Sequence, residues 1–141
     1  MKNTITVQTI VDAPVEKAWD YWTKPEHITK WTFASDDWEA PFAENDLRIN
    51  GKFKTRMQSK DKSQGFDFTG RYTNVKENEL IEYIMYDGRE VSILFERIDV
   101  RTKITETFDP EKENPYEMQR EGWQAILNNF KKYVENEVKN E

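Results

Sequence analysis

The segment TKITETF, residues 102–108, alternates polar and apolar side chains. By the two-residue period of a strand, Thr102, Ile104, Glu106 and Phe108 share one face. If Ile104 faces an apolar interior, Glu106 faces it too. A carboxylate buried there must be paired, hydrogen-bonded or protonated at neutral pH. A single carboxyl in an apolar setting can orient a ligand, or serve as an acid or base. The alternative is a bulge that carries Glu106 to solvent near a sheet edge. Arg56 and Arg71 alternate onto the outer faces of their own strands, which leaves Tyr or Trp donors, water or a ligand as partners for an inward Glu106.

The other reactive groups are sparse. His27 is the single histidine. It lies in the polar turn EHITK with no neighbouring Ser or Cys nucleophile that needs a base, so a solvent-facing histidine is expected. Asp36, Asp37 and Glu39 form the one dense acidic group before the C-terminal tail. They lack the ligand spacing and glycine of a calcium loop, and Trp38 among them suggests a loop anchored by one ring. No metal is expected. The chain has no cysteine, which removes thiolate nucleophiles, disulfides and zinc–thiolate sites and suits a reducing, cytoplasmic setting. No GxGxxG or GxxxxGK occurs, so no nucleotide cofactor, and no cofactor of any kind, is expected.

The elements that must position Glu106 follow from hydrophobic periodicity. ITVQTIVD, from Ile5, reads as a half-buried strand, and Asp12 is a candidate cap for the helix VEKAWDYW, with Pro14 tolerated in its first turn. That helix aligns Val15, Ala18, Trp19 and Trp22, and PEHITKW starts a second short helix. Residues 32–50 read as a long irregular stretch whose Phe33, Trp38 and Phe42 should pack back on the body. Short strands follow. GKFKTRMQS puts Phe53, Thr55 and Met57 on one face; GFDFTGRYTNV does the same for Phe66, Phe68, Gly70 and Tyr72. LIEYIMY sets Ile81, Tyr83 and Met85 opposite Glu82, and REVSILFERI precedes TKITETF. Asp87-Gly88 is the clearest hairpin turn. Asn114 is a candidate cap for a helix of about residues 115–138, in which Tyr116, Gln119, Trp123, Ile126, Leu127, Phe130, Tyr133 and Val134 form one stripe. Gly122 interrupts it at a cost of ~1 kcal/mol relative to Ala. Either something approaches the backbone there, or the glycine is a tolerated kink.

The 141 residues suit one domain over 1–141, and 36% hydrophobic content is made up in size by five Trp, six Tyr and eight Phe. A net charge of −6 with interspersed basic residues argues against a nucleic-acid partner and against anionic membranes. The N-terminus lacks the apolar run of a signal peptide, and no later run could span a bilayer. A strand, two short helices, about six further antiparallel strands and one long helix make an α+β chain whose helix must bury its stripe on a curved sheet.

Five segments in this order, VDAPVEKAWDYWT, DLRINGKFKTRM, GFDFTGRYTNV, TKITETFDPE and GWQAILNNFKKYVE, resemble the START-like helix-grip (SRPBCC) superfamily, from Ile5 to about Val134. Within it they are most similar to the group related to the C-terminal domain of the activator of Hsp90 ATPase. The family often has two glycines where this chain has Asn50-Gly51. Eukaryotic Hsp90 activators carry a further N-terminal domain, so the chain resembles the single-domain bacterial members. The resemblance implies a curved sheet wrapped around the C-terminal helix, with relatives often enclosing a cavity between the two.

Three functions follow as expectations. The first is a non-catalytic binding protein for a small apolar or amphipathic molecule. Trp31, Phe33 and Trp38 would gate entry, and Met118 and Trp123 would flank the ligand from the helix. Phe53, Met57, Phe68, Phe95 and Leu127 would add apolar wall, with Glu106 and Tyr83 as polar contacts. The same aromatic residues would alternatively make a filled core. The second is a cyclase- or hydrolase-like enzyme using Glu106, which needs a carboxyl pKa raised toward neutrality. The third is a module binding an Hsp90-type chaperone. It ranks last because the helix stripe looks committed to its own sheet. A monomer and a dimer are both compatible with the sequence.

Overall fold

The computed structural model describes residues 3–141. Met1 and Lys2, which open the segment read above for a signal peptide, lie outside the described residues. The order is β1 (Ile5–Val11), α1 (Val15–Thr23), α2 (Pro25–Ile28), β2 (Trp38–Asn45), β3 (Lys52–Ser59), β4 (Gly65–Lys76), β5 (Leu80–Met85), β6 (Glu90–Ile98), β7 (Arg101–Phe108) and α3 (Tyr116–Lys139). The seven strands form one curved antiparallel sheet in the order β1-β7-β6-β5-β4-β3-β2. The fold is therefore α+β, with α3 held against the concave face.

Strand alternation supplies that face. Phe53, Thr55 and Met57 of β3, Tyr72 of β4, Tyr83 of β5, Val91 and Ile93 of β6, and Ile104, Glu106 and Phe108 of β7 are all buried. Leu127, Phe130 and Val134 are the fully buried stripe of α3. At opposite edges of the sheet, β1 and β2 are finished differently. The outward carbonyls of Thr6, Gln8 and Ile10 on β1 accept hydrogen bonds from α3, through Arg120 Nη1 (2.9 Å), Gln124 Nε2 (3.1 Å) and Lys131 Nζ (2.7 Å). The helix thus covers one exposed edge of the sheet by spending long polar side chains on it. The other edge, β2, carries Pro41, which has no N–H to offer a further strand.

Some local expectations are corrected. Residues 38–45 are a strand, not an irregular stretch: a register shift between Glu39 and Phe42, next to Pro41, removes the alternation that would announce it. Asp12 does not cap α1. Its backbone N–H donates instead to Glu135 Oε2 of α3 (2.8 Å), and Pro14 occupies the cap position. Nor does Asn114 cap α3, where Pro115 stands at the cap. The approach to α3 is held by Gln119, whose Oε1 accepts from the Glu111 N–H and whose Nε2 donates to the carbonyls of Glu111 and Asn114.

Gly122 is also reinterpreted. A Cβ added there would meet nothing within 4 Å, so no close approach demands a glycine. Nothing in the structure explains it. Gly122→Ala is therefore expected to stabilise the protein by up to ~1 kcal/mol, read as a higher urea midpoint at unchanged m-value. A loss of stability would show that position 122 needs glycine for a reason other than space. Gly70 is the opposite case. A Cβ there would lie 2.7 Å from the ring of Phe53, so its absence lets Phe53 lie across β4.

Candidate functional site: a cavity between helix and sheet

A cavity of about 350 Å³ lies between α3 and the concave sheet face and opens to solvent. That is at the small end of the range of small-molecule sites. Its floor is Phe53, Thr55 and Met57 of β3 and Phe68 and Tyr72 of β4, continuing through Tyr83 and Ile93 to Glu106. Its roof is Gln119, Trp123 and Ile126 of α3, three residues at helical spacing. Trp22, Ile28 and Trp31 close one end, and Phe66, 48% exposed, stands at its margin.

The walls are rigid because they are aromatic and mutually packed. Phe53 touches three neighbours, with ring centroids 4.8 Å from Tyr83, 5.3 Å from Tyr72 and 5.6 Å from Phe68. Trp123 stacks on Phe108 at 3.8 Å and 11°, and its edge approaches Phe68 at 6.4 Å. Trp31 is pinned by an Nε1–H bond to the Tyr21 carbonyl (2.9 Å) and by Phe130 beneath it (4.8 Å). Asn45 ties three elements together at this end. Its Nδ2 donates to the carbonyl of Thr23 (2.6 Å), and its Oδ1 accepts from the Tyr72 hydroxyl.

Glu106 is the chemical centre of the cavity. Strand β7 pairs with β1 and β6 without a register shift, so no bulge turns the side chain outward. It stands opposite Val7 and Ile93, is 6% exposed, and lines the cavity. Among the described residues it has no hydrogen-bond or ion-pair partner, and no buried side-chain polar atom sealed from solvent lacks a partner. Its carboxyl therefore reaches the cavity space. Burial alone pushes its pKa up to about 8 from an ordinary 4.5. Burial also raises Tyr83 well above its ordinary value, and the nearby Glu106 adds to that shift.

Residues 12–135 match the family described as Activator of Hsp90 ATPase homolog 1-like protein. The chain belongs to this family. The solution structure of an AHSA1-like protein from Aeromonas hydrophila superimposes with a TM-score of 0.91 at 38% identity, over 96% of this chain and 94% of that one. A protein from Cytophaga hutchinsonii is 51% identical, with a TM-score of 0.82 over 98% and 96% of the two chains. One from Chromobacterium violaceum shares the fold at 23% identity and a TM-score of 0.83, over 96% and 99%. No curated protein matches the sequence. The AHSA1-like assignment places the chain in the START-like helix-grip superfamily.

Against the AHSA1-like frame, the expected site residues divide. Trp31, Phe53, Met57, Phe68, Tyr83, Glu106 and Trp123 line the cavity. Five others do not. Phe95 is buried behind the wall, 5.2 Å from Trp19 and 5.8 Å from Trp22, and Leu127 is fully buried in the core. Periodicity identifies the apolar face but not its depth. Met118 is 58% exposed, because its position on α3 turns it away from the stripe. Trp38 begins β2 with its ring 6.3 Å from Phe66, and Phe33 is half-buried outside the cavity, its carbonyl accepting from Asn129 Nδ2 (3.5 Å). Neither gates the opening. His27 is not free in solvent: its Nδ1 lies 2.7 Å from the Tyr133 hydroxyl, and its ring packs edge-on to Tyr21. The residues that strand and helix patterns missed are Thr55, Asn45 and Gln119. Thr55 shares the face of Phe53 and Met57 but carried no chemical signal. Gln119 was on the helix stripe but without a role, and Asn45 is recognisable only once Thr23 and Tyr72 are brought to it.

No helix among the described residues is long and apolar enough to cross a membrane. Among the described residues, no group of three His, Cys, Asp or Glu could hold a metal ion.

Proposed function

We propose that this AHSA1-like protein binds a small apolar or amphipathic molecule in the cavity between α3 and the sheet, without transforming it. The observation that carries the reading is the combination of an open, aromatic-walled space of about 350 Å³ with one unpartnered carboxyl inside it. A protein that needed only a core at this position would fill it, since interiors pack like organic crystals. Burial of ring surface supplies most of the affinity, at about 25 cal/mol per Å² before association costs.

Titration with N-phenyl-1-naphthylamine, an uncharged fluorescent aromatic, tests the proposal. Saturable enhancement at one site per chain is expected, with displacement by other flat apolar molecules. Thr55→Phe, which projects a ring into the cavity from β3, should abolish the enhancement while leaving the fold intact by circular dichroism. Unchanged enhancement in that variant, or none in the wild type, sinks the reading.

One observation favours a catalytic second reading. A carboxyl titrating at about 8 meets the requirement for acid–base work near neutrality. Turnover of a cavity ligand that is lost in Glu106→Gln, with binding retained, would assign that role.

A further inference from the structure

The cavity is unequal in the hydrogen bonds it offers. The N–H donors of Trp31, Asn45 and Gln119 are already given to backbone carbonyls of Tyr21, Thr23, Glu111 and Asn114. Thr32, at the margin, donates its hydroxyl to the Ile28 carbonyl (2.6 Å). Glu106 is the reverse case: more than nine-tenths buried, pointing into the space, and without a hydrogen-bond partner among the described residues. The hydroxyls of Thr55 and Tyr83 line the space unbonded as well, but only the carboxyl can take a negative charge near neutrality. Around it the ring systems of Phe53, Phe68, Tyr83 and Trp123 line the same space, and ring faces attract cations.

The charged surroundings agree. Among the described residues, the titratable or charged groups lining the cavity besides Glu106 are Tyr72 on β4, Tyr83 on β5, Arg89 in the β5–β6 turn and Glu111 before α3, and burial raises both tyrosines so that they stay neutral. Arg89 is bound through Nε to Asp87 (2.8 Å), and Glu111 accepts the Asn114 N–H (2.6 Å). The neighbours of Glu106 in register are the apolar Val7 and Ile93, and α3 contributes only Gln119, Trp123 and Ile126 to the lining. Among the described residues, no lysine lines the cavity.

Resting on the binding function proposed above, we infer that the ligand class is a hydrophobic amine, whose ammonium pairs with Glu106 while its apolar body lies among the aromatic walls. An ammonium brings donors to a site with an uncommitted acceptor, and it brings the counter-charge that the buried carboxyl lacks. The net charge of −6 draws such ligands toward the protein and away from it draws anions. An uncharged acceptor such as a carbonyl would satisfy only the protonated acid and leave the ring faces unused.

The proton balance makes the inference measurable. Glu106 is protonated below about pH 8, and an alkyl amine stays protonated to roughly pH 10. The bound pair holds one proton fewer than the two separate partners at pH 6. Binding therefore releases one proton to buffer, and affinity rises roughly tenfold per unit between pH 6 and 8, then levels off.

The experiment is isothermal titration with 2-(2-naphthyl)ethylamine and its alcohol twin, 2-(2-naphthyl)ethanol, at pH 6, 7 and 8 in two buffers of different ionisation enthalpy. The amine is expected to bind roughly tenfold or more tightly than the alcohol at pH 8, with about one proton released at pH 6. The alcohol should show no proton release and a flat profile. In Glu106→Gln the amine should lose its advantage, while unchanged alcohol affinity reports an intact cavity. Equal binding of both probes, or an amine preference that survives Glu106→Gln, overturns the amine assignment and leaves the cavity reading standing. Failure of both probes to bind overturns the two together.

Discussion

Glu106→Gln is expected to abolish a pH-dependent loss of stability that the wild-type protein suffers between pH 5 and 8. The sign follows from the direction of the shift. Burial holds the folded-state pKa at about 8, above the ordinary 4.5 of the unfolded chain. Below pH 4.5 both states carry the proton and the group contributes nothing. Between the two values the unfolded chain has released the proton while the folded protein retains it, so the unfolded state gains at each step. The slope is about 1.4 kcal/mol per pH unit, and the accumulated loss by pH 8 is on the order of 4 kcal/mol. Above pH 8 both forms are ionised and the loss stops growing.

Glutamine keeps the shape and polarity of the side chain and cannot ionise. The variant should therefore match the wild type near pH 4.5 and exceed it progressively toward pH 8. Urea denaturation at four pH values reads this directly. The other shifted carboxylates act elsewhere. Asp61, Glu135 and Glu141 are all lowered: Asp61 by bonds from Ser63 and Ser59, Glu135 against the opposing effect of burial by bonds from Lys131 and the Asp12 N–H, and Glu141 by bonds from Lys17 and Tyr21. Their contributions are present above the unfolded value and disappear only as pH falls through their folded values, outside the window. A flat wild-type profile would mean that Glu106 is solvated or paired.

The reading of the fold from sequence succeeded where one physical rule dominated. A half-buried strand must alternate, so Phe53, Thr55 and Met57, or Ile104, Glu106 and Phe108, were assigned to one face by period alone. The α3 stripe was equally legible, because a helix over a sheet needs Leu127, Phe130 and Val134 in line. The rule failed at β2, where Pro41 and a register shift break the period while pairing with β3 persists. It failed also at the helix starts, where proline occupies the cap and Gln119, from inside α3, satisfies the approaching loop.

The site was partly legible for a related reason. Period tells which face a side chain shares: it put Glu106 with Ile104 and left open a bulge to solvent, which the unbroken register of β7 removes. It carries no information on how far the facing element stands away. Phe95 and Leu127 share faces with cavity-lining neighbours yet lie in filled core, a distinction set by the stand-off of α3 from β3 and β4. The tether through Asn45 depends on residues 22 and 27 positions away, Thr23 and Tyr72, and no local pattern encodes it.

Core and cavity wall can be separated by two truncations one turn apart on α3. Leu127→Ala removes a fully buried side chain from the filled region and is expected to cost about 3 kcal/mol, within the range for such core deletions. Trp123→Ala removes the indole stacked on Phe108 and is expected to cost a similar amount, about 3 kcal/mol, since its outer edge is partly solvated. The two should differ in binding. Trp123 is a roof of the cavity, so its loss exposes Phe108, opens the space to water and should weaken binding of N-phenyl-1-naphthylamine at least roughly tenfold, the equivalent of about 1.4 kcal/mol of ring contact. Leu127→Ala should leave that affinity within about twofold at temperatures where the variant is folded, because its side chain makes no part of the lining. Denaturation and probe titration on the same samples check both halves. If Leu127→Ala lost the probe as fully as Trp123→Ala, binding would depend on the overall rigidity of α3, and the cavity would be a consequence of loose packing with no dedicated wall.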